Sequence, residues 1–280
     1  DDALARFGGN VDAAYARAVF SRVLLLRQQG AIAEAEVTAL ANIEVLRRRG
    51  FQTVCAWLDL ILGWISYERN DLDLAISNLR AVVADYRDVH ALTVREAMSL
   101  LAVVHALRGE VDEAWAIMRR LREILGEIGA TELMPGVLVT EAWLAAQQGA
   151  PSRSIVWGVG AAADAQRTTT ALMLHPAVMR IRLLLDSETN DGQAAALAEI
   201  ESFRRVVTEA HCVFRIPQLD LLESVLRYRW GETTVGLPVF QSALRHPVSR
   251  YLLREYLHYP ETVGSMIGVL QEHGAAEASL

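Results

Sequence analysis

Residues that end helices recur along this chain at an almost constant spacing of 39 to 41 residues. The six positions are Gly30, Asn70, Gly109, Gly149, Asn190 and Gly231. Each follows an apolar stretch of helical composition and precedes a second one. Glycine and asparagine tolerate the positive φ of a tight turn at a helix C-terminus. Self-similarity at such a period is typical of repeat proteins, so the sequence predicts a series of helix pairs.

Small residues stand at fixed positions on both sides of these turns. Seven residues before and five after the turn, the pairs are Val23 and Ala35, Gly63 and Ala75, Ala102 and Ala114, Ala142 and Ser154, and Ser224 and Gly236. A larger residue, Leu79 or Met118, follows nine residues after the turn in two units. Small residues at these points let the paired helices cross closely, and the larger one fills the next layer.

The pattern predicts an all-α fold, a right-handed α-solenoid (superhelix) of about six helix pairs with a period near 40 residues. The predicted repeats are residues 11–48, 53–86, 90–128, 134–167, 174–211 and 216–245. Capping helices are expected over 247–273, one at 247–258 and one from 260, because Pro247 and Pro260 suit a first helical turn. No linker is evident, so residues 1–280 are predicted to be a single superhelical domain.

The residues Leu62-Gly63, Asn70, Asp71 and Ala75 resemble the signature of the tetratricopeptide repeat, whose period is about 34 residues. Longer helices at the period seen here are similar to the sensor domain of MalT-type regulators, which are STAND ATPases of the LuxR family. The resemblance implies a ligand-sensing domain of a bacterial transcriptional regulator, which binds a small-molecule inducer on its concave face. It also implies that an ATPase module precedes the chain and a helix-turn-helix follows it. The chain begins without methionine and is expected to be a fragment of that larger protein.

Charge and composition exclude several classes. The net charge is −7, and the nearest approach to a concentrated basic face is the run Arg47-Arg48-Arg49, so direct binding of nucleic acid is not expected. No apolar run approaches the roughly 20 residues of a membrane span. Cys55 and Cys212 lie far apart, which favours a reducing, cytoplasmic setting. The first ten residues include charged Asp1, Asp2 and Arg6, so they do not look like a signal peptide.

Catalytic and metal-binding signatures are missing from the sequence. It contains no HExxH, GxSxG, CxxC or GxGxxG motif, and without lysine there can be no phosphate-binding loop of the GxxxxGK type. The seven histidines are scattered, and none pairs at ligand spacing with a carboxylate cluster. His246 and His258 are interpreted as exposed cap residues. We therefore expect no enzyme, no metal site and no cofactor in this fragment.

The concave face is the predicted place for a site. In such solenoids the first helix of each pair lines the groove, and Trp64 and Trp143 occupy the same register two repeats apart. Helix 53–69 is apolar nearly all round, so something should cover its inner stripe. The candidate ligand-binding residues are Arg27, Trp57, Trp64, Tyr67, Ser99, Val103, Ala106, Trp143 and Arg180.

Several alternatives stay open at this point. The apolar stripe could be packed core closed by the chain itself, or it could be a ligand pocket. Polar groups that could orient a ligand are Arg17, Arg27, Glu68, Glu96 and Arg180, since arginine holds a carboxylate through two parallel hydrogen bonds. The second function considered is a peptide- or protein-binding scaffold of the tetratricopeptide kind. The sequence does not decide between a monomer and a homo-oligomer.

Overall fold

The computed structural model describes residues 11–84, 86–149, 172–186 and 189–277, with side chains to residue 272. The helices of these ranges are α1 Ala13–Gln28, α2 Ile32–Arg48, α3 Gln52–Glu68, α4 Leu72–Ala84, α5 Ala91–Leu107, α6 Val111–Glu127, α7 Met134–Gln147, α8 Pro176–Leu185, α9 Asn190–Glu209, α10 Arg215–Arg229, α11 Thr233–Arg245, α12 Leu253–Tyr256 and α13 Pro260–Glu277. Short 3₁₀ turns lie at Tyr86–Asp88, Thr131–Leu133 and Ser249–Tyr251. The described part contains no strand, so the all-α prediction is confirmed there.

Consecutive helices pack against each other as antiparallel pairs, as a helical repeat requires. Contacts join α1 with α2, α3 with α4, α5 with α6, α8 with α9, and α10 with α11. The first helices of neighbouring pairs also touch, because α3 packs against α1 and α5, α5 against α7, and α8 against α10. The predicted second helix of the fourth pair, at 151–167, and its small residue Ser154 lie outside the described residues.

The turns inside the pairs have the predicted backbone. Gly30, Gly109, Gly149 and Gly231 have φ between 77° and 80°, and Asn70 has φ 63°. Asn190 was predicted as a sixth such turn, and this is wrong: it is the first residue of α9, and Thr189 caps that helix by accepting a hydrogen bond from the amide of Gly192.

Close crossing of the paired helices is visible at the predicted small residues. A Cβ placed on Gly63 of α3 would lie 2.8 Å from Cγ and Cδ2 of Leu79 on α4. In the last pair, a Cβ on Gly236 would lie 3.3 Å from the carbonyl oxygen of Ser224. The small side chains therefore set the helix separation, as the repeat pattern predicts.

Two helices are buried on every face. Residues 58–68 of α3 and 93–105 of α5 are all buried, including charged side chains in both helices. These helices contact their pair partners and the neighbouring first helices, and α12 packs against α3 as well. Burial of the inner stripe of α3 is thus provided by the chain itself.

The C-terminal region closes the fold differently from the prediction. A helix was expected over 247–258, but this stretch holds only a 3₁₀ turn and the one-turn helix α12. It folds back towards the first two pairs: a Cβ on Gly30 would collide with the side chain of Val248, and Arg254 donates a 2.8 Å hydrogen bond to Oδ1 of Asn70.

None of the described helices combines the length and the apolar composition needed to cross a membrane.

Candidate functional site

The nine predicted site residues lie in different surroundings. Arg27, Trp64, Tyr67, Ser99, Val103 and Trp143 are buried. Trp57, Ala106 and Arg180 are partly exposed. The rings of Trp57 and Phe20 have centroids 5.6 Å apart. Nη1 of Arg180 lies 3.8 Å from Oε2 of Glu199. The structure brings Arg27 together with Trp64, and it joins Tyr67 to Trp143 through His258. It does not gather all nine into one group.

Arg27 lies between two aromatic rings. Its guanidinium carbon is 4.5 Å from the centroid of Trp64 and 4.4 Å from that of Phe214. The two rings meet edge to face with centroids 5.4 Å apart. Arg215 lies over Phe214 as well, at 4.6 Å. A desolvated cation between ring faces is held by the ring quadrupoles, so the position of Arg27 is fixed by α3 and by the turn before α10.

The main chain of Leu172–Leu174 passes beside these arginines. The carbonyl oxygen of Leu172 accepts hydrogen bonds from Nη2 of Arg215 at 2.5 Å and from Nη2 of Arg27 at 3.4 Å. Nη2 of Arg215 also donates to the carbonyl oxygen of Met173 at 3.3 Å. These bonds join α1 and α10 to the segment that precedes α8.

Glu96 of α5 binds the same segment through its amides. Its Oε2 accepts hydrogen bonds from the backbone nitrogens of Met173 at 2.5 Å and Leu174 at 3.3 Å. Its Oε1 lies 2.5 Å from Nη1 of Arg95. We call Arg27, Trp64, Glu96, Phe214, Arg215 and the main chain of 172–174 the interior cluster.

A polar chain extends from the interior cluster to the C-terminal region. Nη1 of Arg215 donates to Gln218 at 2.6 Å, and the amide of Gln218 donates to Glu255 at 2.5 Å. The other oxygen of Glu255 lies 2.5 Å from Nη2 of Arg182. All four side chains are buried. Buried ionic groups need partners of this kind to offset the loss of hydration.

His258 makes the contact that closes the fold on α3, and its interpretation as an exposed cap residue is wrong. Its Nε2 lies 3.1 Å from the hydroxyl of Tyr67, and its ring meets Trp143 edge to face with centroids 6.1 Å apart. His246 does cap locally, because its Nδ1 accepts from the amide of Val248 at 3.3 Å. We call Tyr67, Trp143 and His258 the closing contact.

Burial shifts the ionisation of these groups. The pKa of Arg27 falls to about 9 because the side chain is desolvated and because Arg215 lies nearby. Burial raises the pKa of Glu68 well above its ordinary value, and Glu255 adds to this shift. The pKa of His258 lies well below its ordinary value, through burial and then repulsion by Arg182 and Arg254. Burial therefore favours the neutral forms of Glu68 and His258.

Besides Oε1 of Glu96, which lies against Arg95, three buried oxygen atoms on the first helices have no hydrogen-bond partner within the described part of the chain. They are Oε2 of Glu68, Oγ1 of Thr93 and Oγ of Ser99. Thr93, Glu96 and Ser99 are spaced along α5 by three residues, so they lie on one face of that helix. Buried polar atoms without partners are uncommon and call for a physical explanation.

Sequence reasoning missed Phe214, Arg215, His258 and the segment 172–174. The sequence does indicate such a residue where an arginine stands inside an apolar stretch, as in the runs 177–185 and 212–222. A charged side chain on a buried helix needs a hydrogen-bonding or oppositely charged partner from elsewhere in the fold. His105 is also buried, and its Nδ1 is paired with Glu110.

The arrangement can hold main-chain amides, carbonyl groups and carboxylates, and no group of three or more metal-ligating side chains occurs among the described residues. No protein-family model matches this chain, and no curated protein matches it either.

Proposed function

We propose that this chain is a non-enzymatic sensor domain, an α-solenoid of tetratricopeptide-like helix pairs from a bacterial transcriptional regulator of MalT type. In this proposal a small-molecule inducer binds at the inner faces of the first helices. Its binding controls an attached ATPase and DNA-binding module. The repeating helix pairs, their positive-φ turns and the buried aromatic and polar residues on the first helices support this interpretation.

The observation that carries the proposal is the way the interior cluster joins distant parts of the chain. Arg27 of α1, Glu96 of α5 and Arg215 of α10 all bind the main chain of 172–174. A ligand that changes these bonds would change how the first and last helix pairs pack. A ligand can shift a conformational equilibrium only through such differential contacts. The superhelix would then offer a different surface to the neighbouring module.

The experiment measures tryptophan emission and melting temperature of the protein against a library of small metabolites. A true ligand changes the emission saturably and raises the melting temperature by mass action. Trp64→Phe and Trp143→Phe should remove or reduce the emission change. Trp115→Phe, on the second helix of a pair and partly exposed, is the matched control and should leave it intact.

A library without any hit would contradict the small-molecule part of the proposal. The regulator part is tested separately by reading the gene on both sides of this coding segment. We expect a phosphate-binding loop upstream and a helix-turn-helix downstream. A gene that encodes neither would overturn the assignment to MalT-type regulators whatever the ligand is.

A second candidate function, a scaffold that binds a peptide or a protein segment, is favoured by one specific observation. The interior cluster grips a short piece of chain entirely through its main-chain groups. Main-chain recognition of this kind is how many peptide-binding domains obtain affinity. A pull-down that captures a protein through this domain and is abolished by Glu96→Gln, with no metabolite hit, would favour the scaffold.

A further inference from the structure

We infer that residues 247–259, which we call the strap, open while the helix pairs stay folded, and that protonation of His258 releases them. The inference goes beyond the proposed function, because it concerns the chain without any ligand. In this inference the strap is an acid-sensitive latch between the second helix pair and the helices that follow residue 172.

The strap is anchored at both ends but has little regular structure of its own. It begins after α11 at Pro247 and ends where Pro260 starts α13, and between them lie a three-residue 3₁₀ turn and the four-residue helix α12. Helix α13 packs against α10 and α11, so both ends stay attached when the strap lifts. Segments with few regular backbone hydrogen bonds open locally at a lower free energy than packed helices.

Polar side chains join the strap to helices from distant parts of the chain. Glu255 lies 2.5 Å from Nη2 of Arg182 on α8 and accepts a 2.5 Å hydrogen bond from the amide of Gln218 on α10. Arg254 donates to Asn70 in the turn after α3. The strap also buries three apolar side chains, Val248, Leu252 and Tyr259. Water can replace the polar partners when the strap lifts, so regained hydration offsets much of the lost bonding.

His258 faces two neutral side chains and two cations at the closing contact. Its Nε2 lies 3.1 Å from the hydroxyl of Tyr67, and its ring meets Trp143 edge to face. Burial raises the pKa of Tyr67, so that hydroxyl is neutral, and the indole carries no charge. Arg182 and Arg254 oppose a positive charge on the imidazole. The closed strap therefore holds His258 in its neutral form.

The two carboxyl groups on the contacting elements do not offset a charge on His258. Glu255 is already bound to Arg182. The pKa of Glu68 is raised by burial and then by Glu255, which favours its neutral form. The ring of Tyr259 lies 6.4 Å from that of His258, and burial raises its pKa too, so it is also neutral. A proton on His258 therefore favours the open strap, where water hydrates the imidazolium.

The pH range of release follows from the two states of His258. In the closed strap its pKa lies well below the ordinary 6.5, and in the open strap the pKa returns to that value. The closed strap is therefore favoured fully above pH 6.5, and the open strap takes up the proton as the pH falls. The opening equilibrium constant should rise about fivefold between pH 6.5 and pH 5.5.

Amide hydrogen exchange of the 280-residue chain tests the inference, read by mass spectrometry of peptic fragments and corrected for the intrinsic effect of pH. Amides of the strap should be at least about tenfold less protected than those of α5, which is buried on every face. Low urea should lower the protection of α5 steeply and that of the strap little, because local opening exposes less surface. Equal protection of the strap and α5 would show that the strap opens only when the whole chain unfolds, and would overturn the inference.

The pH dependence is assigned with two histidine variants. Protection of the strap should fall about fivefold from pH 6.5 to pH 5.5 in the unmodified chain, and His258→Gln should remove this fall because glutamine does not titrate. His246→Gln is the matched control beside the strap: burial lowers the pKa of His246 as well, but Asp220 acts in the opposite direction. This control should keep the fall.

Circular dichroism checks that each variant is folded, and His258→Asn takes the place of His258→Gln should the latter unfold. Strap protection that does not change with pH in the unmodified chain would overturn the inference. The same holds for a fall that persists in the folded His258 variant or disappears in His246→Gln.

Discussion

The hydroxyl of Tyr67 lies 3.1 Å from Nε2 of His258, although 191 residues separate the two along the chain. Tyr67 is on the last turn of α3, and His258 follows the short helix α12. The bond joins the second helix pair to the C-terminal region. It therefore ties the C-terminal region to the last turn of α3.

The closing contact should weaken below neutral pH. The pKa of His258 lies well below its ordinary 6.5 in the folded chain, because burial and then Arg182 and Arg254 oppose the imidazolium. The unfolded chain takes up this proton near pH 6.5, so stability is complete above that pH and falls as the pH drops. The loss should be about 1 kcal/mol between pH 6.5 and 5.5.

The measurement is urea unfolding of the unmodified chain and of His258→Gln from pH 8 to pH 5. The free energy of unfolding should fall less steeply with decreasing pH in the variant, because glutamine does not titrate. Other groups titrate equally in both proteins, so the difference between the two curves isolates His258. Parallel curves would show that His258 is not responsible.

Glu68 should give a pH dependence of the opposite sign. Its pKa is raised in the folded chain, first by burial and then by Glu255. The stability it contributes is complete below its ordinary pKa of 4.5 and is lost as the pH rises through the folded value. At pH 7 the folded chain therefore carries a cost that an uncharged side chain of the same shape avoids.

Glu68→Gln should thus raise the free energy of unfolding at pH 7 by about 1 kcal/mol or more, and the gain should vanish at pH 4. Glu209→Gln, an exposed residue at the end of α9, is the control and should change stability by less than about 0.5 kcal/mol. A destabilised Glu68→Gln at pH 7 would show instead that the carboxylate is ionised and held by the nearby arginines.

Close crossing of α3 and α4 makes Gly63 sensitive to one added methyl group. A Cβ at this position would lie 2.8 Å from Leu79, which is fully buried. Gly63→Ala should destabilise the chain by about 1 to 3 kcal/mol through overpacking. Gly126→Ala is the matched control: Gly126 is also helical, but no atom lies within 4 Å of its added Cβ.

Thermal unfolding of the two variants tests this difference. Gly126→Ala should stabilise by about 0.5 to 1 kcal/mol, because alanine loses less backbone entropy in a helix. The double variant Gly63→Ala, Leu79→Ala should not restore stability fully, since it exchanges a clash for a lost side chain. If both single variants behaved alike, the small residues of the repeat would not set the helix separation.

How far the sequence predicts this fold depends on the range of the interactions. Each helix-ending residue depends only on its own turn. The predicted positive φ is confirmed at Gly30, Asn70, Gly109, Gly149 and Gly231. The error at Asn190 is also local: a polar loop holds a better cap in Thr189, so the helix begins one residue after it. Turns of this kind can be predicted from the sequence because each one depends on a few neighbouring residues.

The interior could not be predicted in the same way. The bond from Arg27 to the carbonyl of Leu172 spans 145 residues, and no repeat position marks Leu172 as its partner. The repeat period predicts which face of each first helix points inward, but it does not predict which residues cover that face. Burial of Trp64 and Tyr67 followed from the apolar pattern, whereas their neighbours Phe214 and His258 depend on how the last pairs fold back.

Arg27 allows the strength of the interior cluster to be measured. The side chain is fully buried between Trp64 and Phe214, and it donates to the carbonyl of Leu172. Methionine has a similar length and keeps most of the packing, but it removes the charge and the hydrogen bonds. A desolvated cation–π contact is worth about 2 kcal/mol. Arg27→Met should lower the free energy of unfolding by less than that amount, because burial of the charge, which lowers the pKa of Arg27, already costs stability.

The control is Arg17→Met, an exposed arginine nearly three turns earlier on α1, which should change stability by less than about 0.5 kcal/mol. A double-mutant cycle with Trp64→Leu then separates the ring contact from the rest, because residues in direct contact are not additive. Coupling of about 1 kcal/mol or more is expected between Arg27 and Trp64. Additive effects would mean that Arg27 is held by its hydrogen bonds alone, and that the aromatic rings only fill space around it.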